Sequence, residues 1–163
     1  MIVVLMGVSG CGKTTIGRLL AQRLGCEFID ADDLHPPANV AKMAAGVPLE
    51  DADRWPWLER LNAELRRREA RAERAVLACS ALRQTYRDRL TAGLAHSDLV
   101  YLRASAELLH ARLAARRHRY MPASLLASQL ATLESPARAI EIDAAQPPER
   151  CVALIRAALD SKP

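Results

Sequence analysis

The chain has 163 residues, half of them hydrophobic but only 4% aromatic, and carries 23 Lys and Arg against 19 Asp and Glu. That length makes a single domain whose core is built from Ala, Leu, Val and Ile, with no need of disulfides or structural metal. The small basic excess lacks the aromatic-basic interleaving of a nucleic-acid binder, and the sequence has no long apolar segment, so neither nucleic acid nor membrane is an expected partner.

Ile2 to Met6 is a short, uniformly apolar run, the mark of a strand buried on both faces. Met1 leads straight into it without a basic leader or cleavage site, which predicts a cytoplasmic protein. Gly7-Val8-Ser9-Gly10-Cys11-Gly12-Lys13-Thr14 follows, fits G-x-x-x-x-G-K-[ST], and opens a helical pattern. This is a P-loop. Its glycines let backbone N–H groups turn toward phosphate oxygens, Lys13 reaches the outer phosphates, and Thr14 offers a hydroxyl to Mg²⁺. The expected ATP contacts here are Gly7, Ser9, Gly10, Cys11, Gly12, Lys13, Thr14 and Thr15, with Cys11 acting mainly as a small loop filler.

Ile16, Leu19, Leu20 and Leu24 recur at helical spacing, and Gly25 stands where a helix end wants positive φ. Glu27 to Asp30 reads as a second strand ending in an acidic cluster. Helices are expected over Pro37–Ala45 and from about Asp53 to Arg74, the latter with Leu58, Leu61 and Leu65 inward. Further strands are Ala75–Cys79, Leu99–Leu102 and Ala139–Asp143. Further helices are Leu82–Leu90, Ser105–Arg117, Ser124–Leu133 and Glu149–Leu159. This alternation predicts one α/β domain over 1–163, a parallel five-stranded sheet with helices on both faces.

In such a sheet, ligands gather at the carboxyl ends of the strands. After the second strand comes Asp30-Ala31-Asp32-Asp33-Leu34-His35; after the third, Ser80 and Arg83; after the fourth, Arg103; after the fifth, Asp143 to Pro147. Two carboxylates two positions apart opposite a P-loop divide the labour: one steers Mg²⁺ through its water shell and the other accepts a proton from an attacking hydroxyl. A D-x-D without that loop would equally be a helix cap. The four cysteines have neither C-x-x-C nor zinc spacing.

The block Asp30-Ala31-Asp32-Asp33-Leu34-His35-Pro36, then Asn39, Lys42-Met43, Gly46, Pro48-Leu49, Asp51, Asp53-Arg54 and Pro56-Trp57-Leu58, resembles the signature of the P-loop gluconokinases. The similarity continues through Cys79-Ser80-Ala81-Leu82, Tyr86-Arg87-Asp88, Tyr101-Leu102, Arg112, Arg116, Ser128-Gln129, Leu133-Glu134 and Pro136, and so covers nearly the whole chain.

The resemblance implies a three-layer α/β/α fold like that of the nucleoside-monophosphate kinases, with a mobile lid at about 117–123. It also implies transfer of the γ-phosphoryl group of MgATP to the 6-hydroxyl of D-gluconate, in a homodimer. A kinase of the same fold acting on shikimate, another sugar acid or adenylylsulfate is the alternative. Lys13, Asp32 and Arg116 are the expected catalytic residues, with Asp32 on the hydroxyl and Thr14 and Asp30 on Mg²⁺, although the two aspartates could exchange roles. Arg112 and Arg116, one helical turn apart, would serve adenine and phosphates, together with Pro147. Asp32, His35, Lys42, Arg54, Ser80 and Arg83 are the expected gluconate contacts, a forked cation for the carboxylate and short polar groups for the hydroxyls. Arg54 could equally pair with Asp51 or Asp53 at a helix start, His35 could equally brace a turn, and Trp55 and Trp57 read as packing anchors. Two departures from the family pattern are His118-Arg119-Tyr120, where many members have Gly-His-Phe, and an added residue or two near Ala144-Ala145.

Overall fold

The computed structural model describes residues 1–115 and 123–161. Five strands, β1 (Ile2–Met6), β2 (Glu27–Asp30), β3 (Ala75–Ala78), β4 (Ser97–Arg103) and β5 (Ile140–Asp143), form one sheet in the order β2-β3-β1-β4-β5, every pair parallel. The helices are α1 (Lys13–Leu24), α2 (Pro37–Ala44), α3 (Asp51–Ala70), α4 (Gln84–Thr91), α5 (Ala106–Ala115), α6 (Ala123–Thr132) and α7 (Pro148–Asp160). A 3-10 turn, Ala31–Leu34, follows β2. The predicted α/β/α sandwich is what the chain forms.

Alternation along β1 divides the core. Val3 and Leu5 face a layer that includes Ile16, Leu20, Val152 and Ile155 from α1 and α7, whereas Ile2, Val4 and Met6 face Leu58, Leu61, Leu65 and Leu90 from α3 and α4. A strand with both faces covered has to be apolar throughout, and all five residues of β1 are buried. Gly25 ends α1 at φ +62°, as its position in the pattern predicts.

The boundaries differ most at α3, which begins two residues before the expected Asp53, ends at Ala70 rather than Arg74, and holds Pro56 inside it. Asp53 Oδ2 accepts from the Glu50 N–H at 2.9 Å, which satisfies a free donor at the helix start and starts the helix upstream of the proline. Pro56 lies in the second turn, where its missing N–H costs one bond. Trp57 beside it is buried and donates from Nε1 to the Ala31 carbonyl at 2.8 Å, tying α3 to the 3-10 turn. No helix among the described residues is long and apolar enough to cross a membrane.

Candidate functional site

The loop between β1 and α1 is built for a phosphate. Gly7, Gly10 and Gly12 have φ of +146°, +88° and +102°, and a Cβ on Gly7 would stand 2.7 Å from Cys11 Sγ and 2.8 Å from the Leu102 carbonyl. A side chain there would collide with the packing beneath the loop and strain the backbone. Cys11 is fully buried under the loop, the filler role expected of it. Lys13 Nζ donates to the carbonyls of Gly7 at 2.8 Å and Val8 at 3.2 Å, which holds the ammonium over the mouth of the loop. Thr15 is exposed in the first turn of α1. Arg112, from α5, donates to the carbonyls of Cys11 at 3.3 Å and Ala144 at 2.7 Å, clipping the loop to the segment after β5. Pro147 ends that segment as the cap of α7.

Across the loop mouth, β2 delivers the two aspartates in different settings. Asp30 accepts from Thr14 Oγ1 at 3.1 Å through one oxygen and from the Asp32 N–H at 3.2 Å through the other, so its carboxylate is fixed against α1. Thr14 and Asp30 form an all-oxygen pair of the kind that magnesium accepts. Among the described residues no group of three or more His, Cys, Asp or Glu could hold a metal by itself. Asp32 instead points into the cleft. Its pKa is raised, first by the desolvating walls, against the pull of Lys13 and with the help of Asp30 and Asp33. Its side chain is still 75% exposed, so solvent damps that push while the cleft is open.

His35 caps the turn that carries Asp32. Its ring stacks on Trp57, with centroids 4.0 Å apart and planes 15° from parallel, and its side chain is 3% exposed. Asn39, itself buried, directs Nδ2 both to the Asp53 carbonyl at 2.9 Å and to His35 Nδ1 at 3.3 Å. An amide nitrogen only donates, so Nδ1 accepts and the ring proton sits on Nε2, which faces Asp32 Oδ1 at 3.8 Å. Burial first, and the Arg54 charge second, lower the His35 pKa to about 4. The ring is therefore neutral in the folded protein at neutral pH. The unfolded chain takes up this proton near the ordinary value of 6.5 and the folded one only near 4, so stability falls as pH drops through that window. Between pH 7 and pH 5 the wild type should lose about 2 kcal/mol more than His35→Gln. Equal losses in denaturant titrations at the two pH values would remove this account of His35.

The far wall is a polar cluster on Tyr86. Its hydroxyl donates to Asp51, and the Arg54 and Arg83 guanidinium carbons lie 5.2 and 5.7 Å from its ring centroid. Arg83 reaches Asp51 at 3.4 Å, and Lys42 is held by both oxygens of Asp53 at 2.8 Å. Arg54 makes neither of the carboxylate pairs considered for it. It donates to the Leu49 carbonyl and, at 3.3 Å, to the Tyr86 hydroxyl. Ser80 is tied to the phosphate loop by its carbonyl, which accepts from the Gly7 N–H at 3.3 Å. The buried Arg87 steadies the turn after Ser80 by donating to the carbonyls of Ala81 and Leu82 at 2.9 and 3.2 Å.

One cavity joins these parts, lined among others by Ser9, Asp32, His35, Arg54, Ser80 and Gln129. Of the expected acceptor contacts, Asp32, His35, Arg54 and Ser80 thus share a lining, while Lys42 and Arg83 stand outside it, each on a carboxylate. Arg116 and the expected lid, apart from Ala123 at the start of α6, lie outside the described residues. Sequence reasoning assigned no role to Asn39, Tyr86 or Gln129. Their only signal was membership of the family-like block, and their function depends on partners far away in the chain.

A family profile described as shikimate kinase matches residues 9–141. A gluconokinase of Gluconobacter oxydans is 51% identical over 82% of this chain and 75% of its own length. An unliganded sugar kinase from Janibacter superposes with a TM-score of 0.92 at 45% identity, covering 98% of this chain and 94% of that one. A gluconokinase from Sinorhizobium meliloti superposes at 0.82 with 42% identity, over 97% and 93% of the two chains.

Proposed function

This chain belongs to the gluconokinase family, and we propose that it transfers the terminal phosphoryl group of ATP to the 6-hydroxyl of D-gluconate, giving 6-phospho-D-gluconate and ADP. The observation that supports the reading is the shared cavity, whose lining brings the Asp32 carboxylate and the Arg54 guanidinium beside Ser9 of the phosphate loop.

Asp32 Oδ accepts the proton of the 6-hydroxyl as the new O–P bond forms and the terminal phosphoanhydride bond breaks, ADP being the leaving group. Neutral His35, with its proton on Nε2, faces the same carboxylate and offers a hydrogen bond to a sugar hydroxyl without adding charge. Arg54, braced by Leu49 and Tyr86, presents its remaining N–H groups to the gluconate carboxylate, and Ser80 serves a hydroxyl. Lys13 and the amides of the loop hold the phosphates, with Arg112 fixing the loop from behind. Thr14 and Asp30 would hold Mg²⁺, which when bound neutralises phosphate charge. Arg116 and the segment 117–123 complete the reading as a phosphate-contacting arginine and a lid, supported by the family resemblance alone. A homodimer has the same support, and light scattering that returns the mass of one chain would remove it.

An ADP-release assay over D-gluconate, shikimate, other sugar acids and adenylylsulfate tests the acceptor. Gluconate should exceed every other acceptor in kcat/KM by at least about a hundredfold, since a site built to bind polar groups rejects analogues that leave them unpaired. Any other acceptor matching gluconate would overturn the assignment.

A further inference from the structure

Gln129 is the residue of α6 that reaches the phosphate loop. Its Oε1 accepts from the Ser9 N–H at 2.7 Å, and its Nε2 lies 3.2 Å from Ser9 Oγ. A backbone amide only donates, so the orientation of the glutamine is fixed: oxygen on the amide, nitrogen on the hydroxyl. The contact spans 120 positions in sequence and joins the loop to a helix anchored by the buried Leu125 and Leu126. The same side chain lines the cavity that holds Asp32, His35, Arg54 and Ser80.

Ser9 has one amide hydrogen, and at 2.7 Å that hydrogen is committed to Gln129. Ser9 is also the loop residue that lines the cavity holding Asp32, Arg54 and Ser80. We propose that Gln129 is a switch shared by the two halves of the site: its side chain caps the Ser9 amide until the terminal phosphate of ATP displaces it, and the released carboxamide then hydrogen-bonds the acceptor's hydroxyls. The chemistry suits the exchange. A phosphate oxygen is a stronger acceptor for an amide N–H than a neutral carboxamide, and a carboxamide offers both donor and acceptor to a polyol. The anchored backbone of α6 lets the change be confined to side-chain torsions. Nucleotide bound first thereby creates part of the acceptor site.

The identity of the acceptor rests on the gluconokinase reading; the competition for Ser9 does not. The test is calorimetric binding of a non-hydrolysable ATP analogue and of ADP, with no acceptor present, alongside the gluconate KM. Gln129→Leu removes the cap at similar length and should tighten the analogue about threefold to tenfold, the worth of one released hydrogen bond. ADP affinity should change less than about twofold, and the gluconate KM should rise about tenfold. Gln129→Glu keeps an acceptor on the Ser9 amide and sets a negative charge where the phosphate must come, so it should weaken the analogue more than about tenfold. An analogue affinity unchanged or weakened in Gln129→Leu, or an unchanged gluconate KM, would overturn the proposal. Should that variant fail to fold, an unchanged analogue affinity in Gln129→Glu would overturn it instead. Failure of the gluconokinase reading shows separately, as a wild type that prefers another acceptor; the KM is then measured for that acceptor, and the nucleotide measurements are unaffected.

Discussion

Asp32→Asn should lower kcat by about 10²- to 10⁴-fold, the usual worth of a positioned general base, with ATP and gluconate still bound. Asn keeps the size of the side chain and the oxygen that faces His35 Nε2, and removes only the ability to take a proton. The side chain is largely exposed and its nearest charged neighbours act through space, so thermal stability should be little altered. The pH profile gives a second reading. Because the walls of the cleft raise the Asp32 pKa, its basic form is lost as pH falls through that raised value, and kcat should fall with it. The acid limb should be absent from the residual activity of the variant. Steady-state kinetics over a pH series checks both points, and wild-type turnover in Asp32→Asn would eliminate Asp32 as the base.

Lys13→Ala should cost about 10²- to 10³-fold in kcat and weaken nucleotide binding as well. Its ammonium is aimed by the Gly7 and Val8 carbonyls, both part of the loop that receives phosphate, so charge and cradle are aligned by the same atoms. Lys13→Arg should not restore activity. The flat, forked guanidinium replaces a compact three-donor ammonium and cannot bond the same two carbonyls while pointing at the phosphates. Rapid-quench turnover and nucleotide titration of both variants check this, and near-normal rates in Lys13→Arg would show that charge alone suffices. Both experiments separate chemistry from folding, since neither residue belongs to the buried core.

Much of this was legible in the sequence because the signals were local. A fully apolar five-residue strand, a glycine-spaced loop and a following helix fix the phosphate site within about twenty residues of chain. The acidic cluster after β2 was equally readable, since its position at the carboxyl end of a parallel strand is a local feature. What stayed hidden depends on partners brought together by folding. Lys42 and Arg83 each meet a carboxylate from the first turn of α3, an encounter that no local pattern encodes. The early start of α3 was not legible because its cap, the Asp53 carboxylate reaching back to the Glu50 N–H, is seen only once the helix has formed. Gln129 carries no local pattern either, its partner being 120 positions away.

The two-sided packing of β1 bears on how such an enzyme can change its diet. Its odd-numbered side chains belong to the layer of α1 and α7, below the phosphate loop, and its even-numbered ones to the layer of α3 and α4, whose Trp57, Leu58 and Tyr86 line the cavity that holds Asp32. One strand thus serves as a partition between an engine and its fitting. Substitutions in the α3 and α4 layer can reshape the fitting while the engine keeps its own packing, because effects of core changes are felt mainly by contacting neighbours and add across distant ones. A lineage built on this partition can explore new acceptors without having to reinvent the handling of ATP.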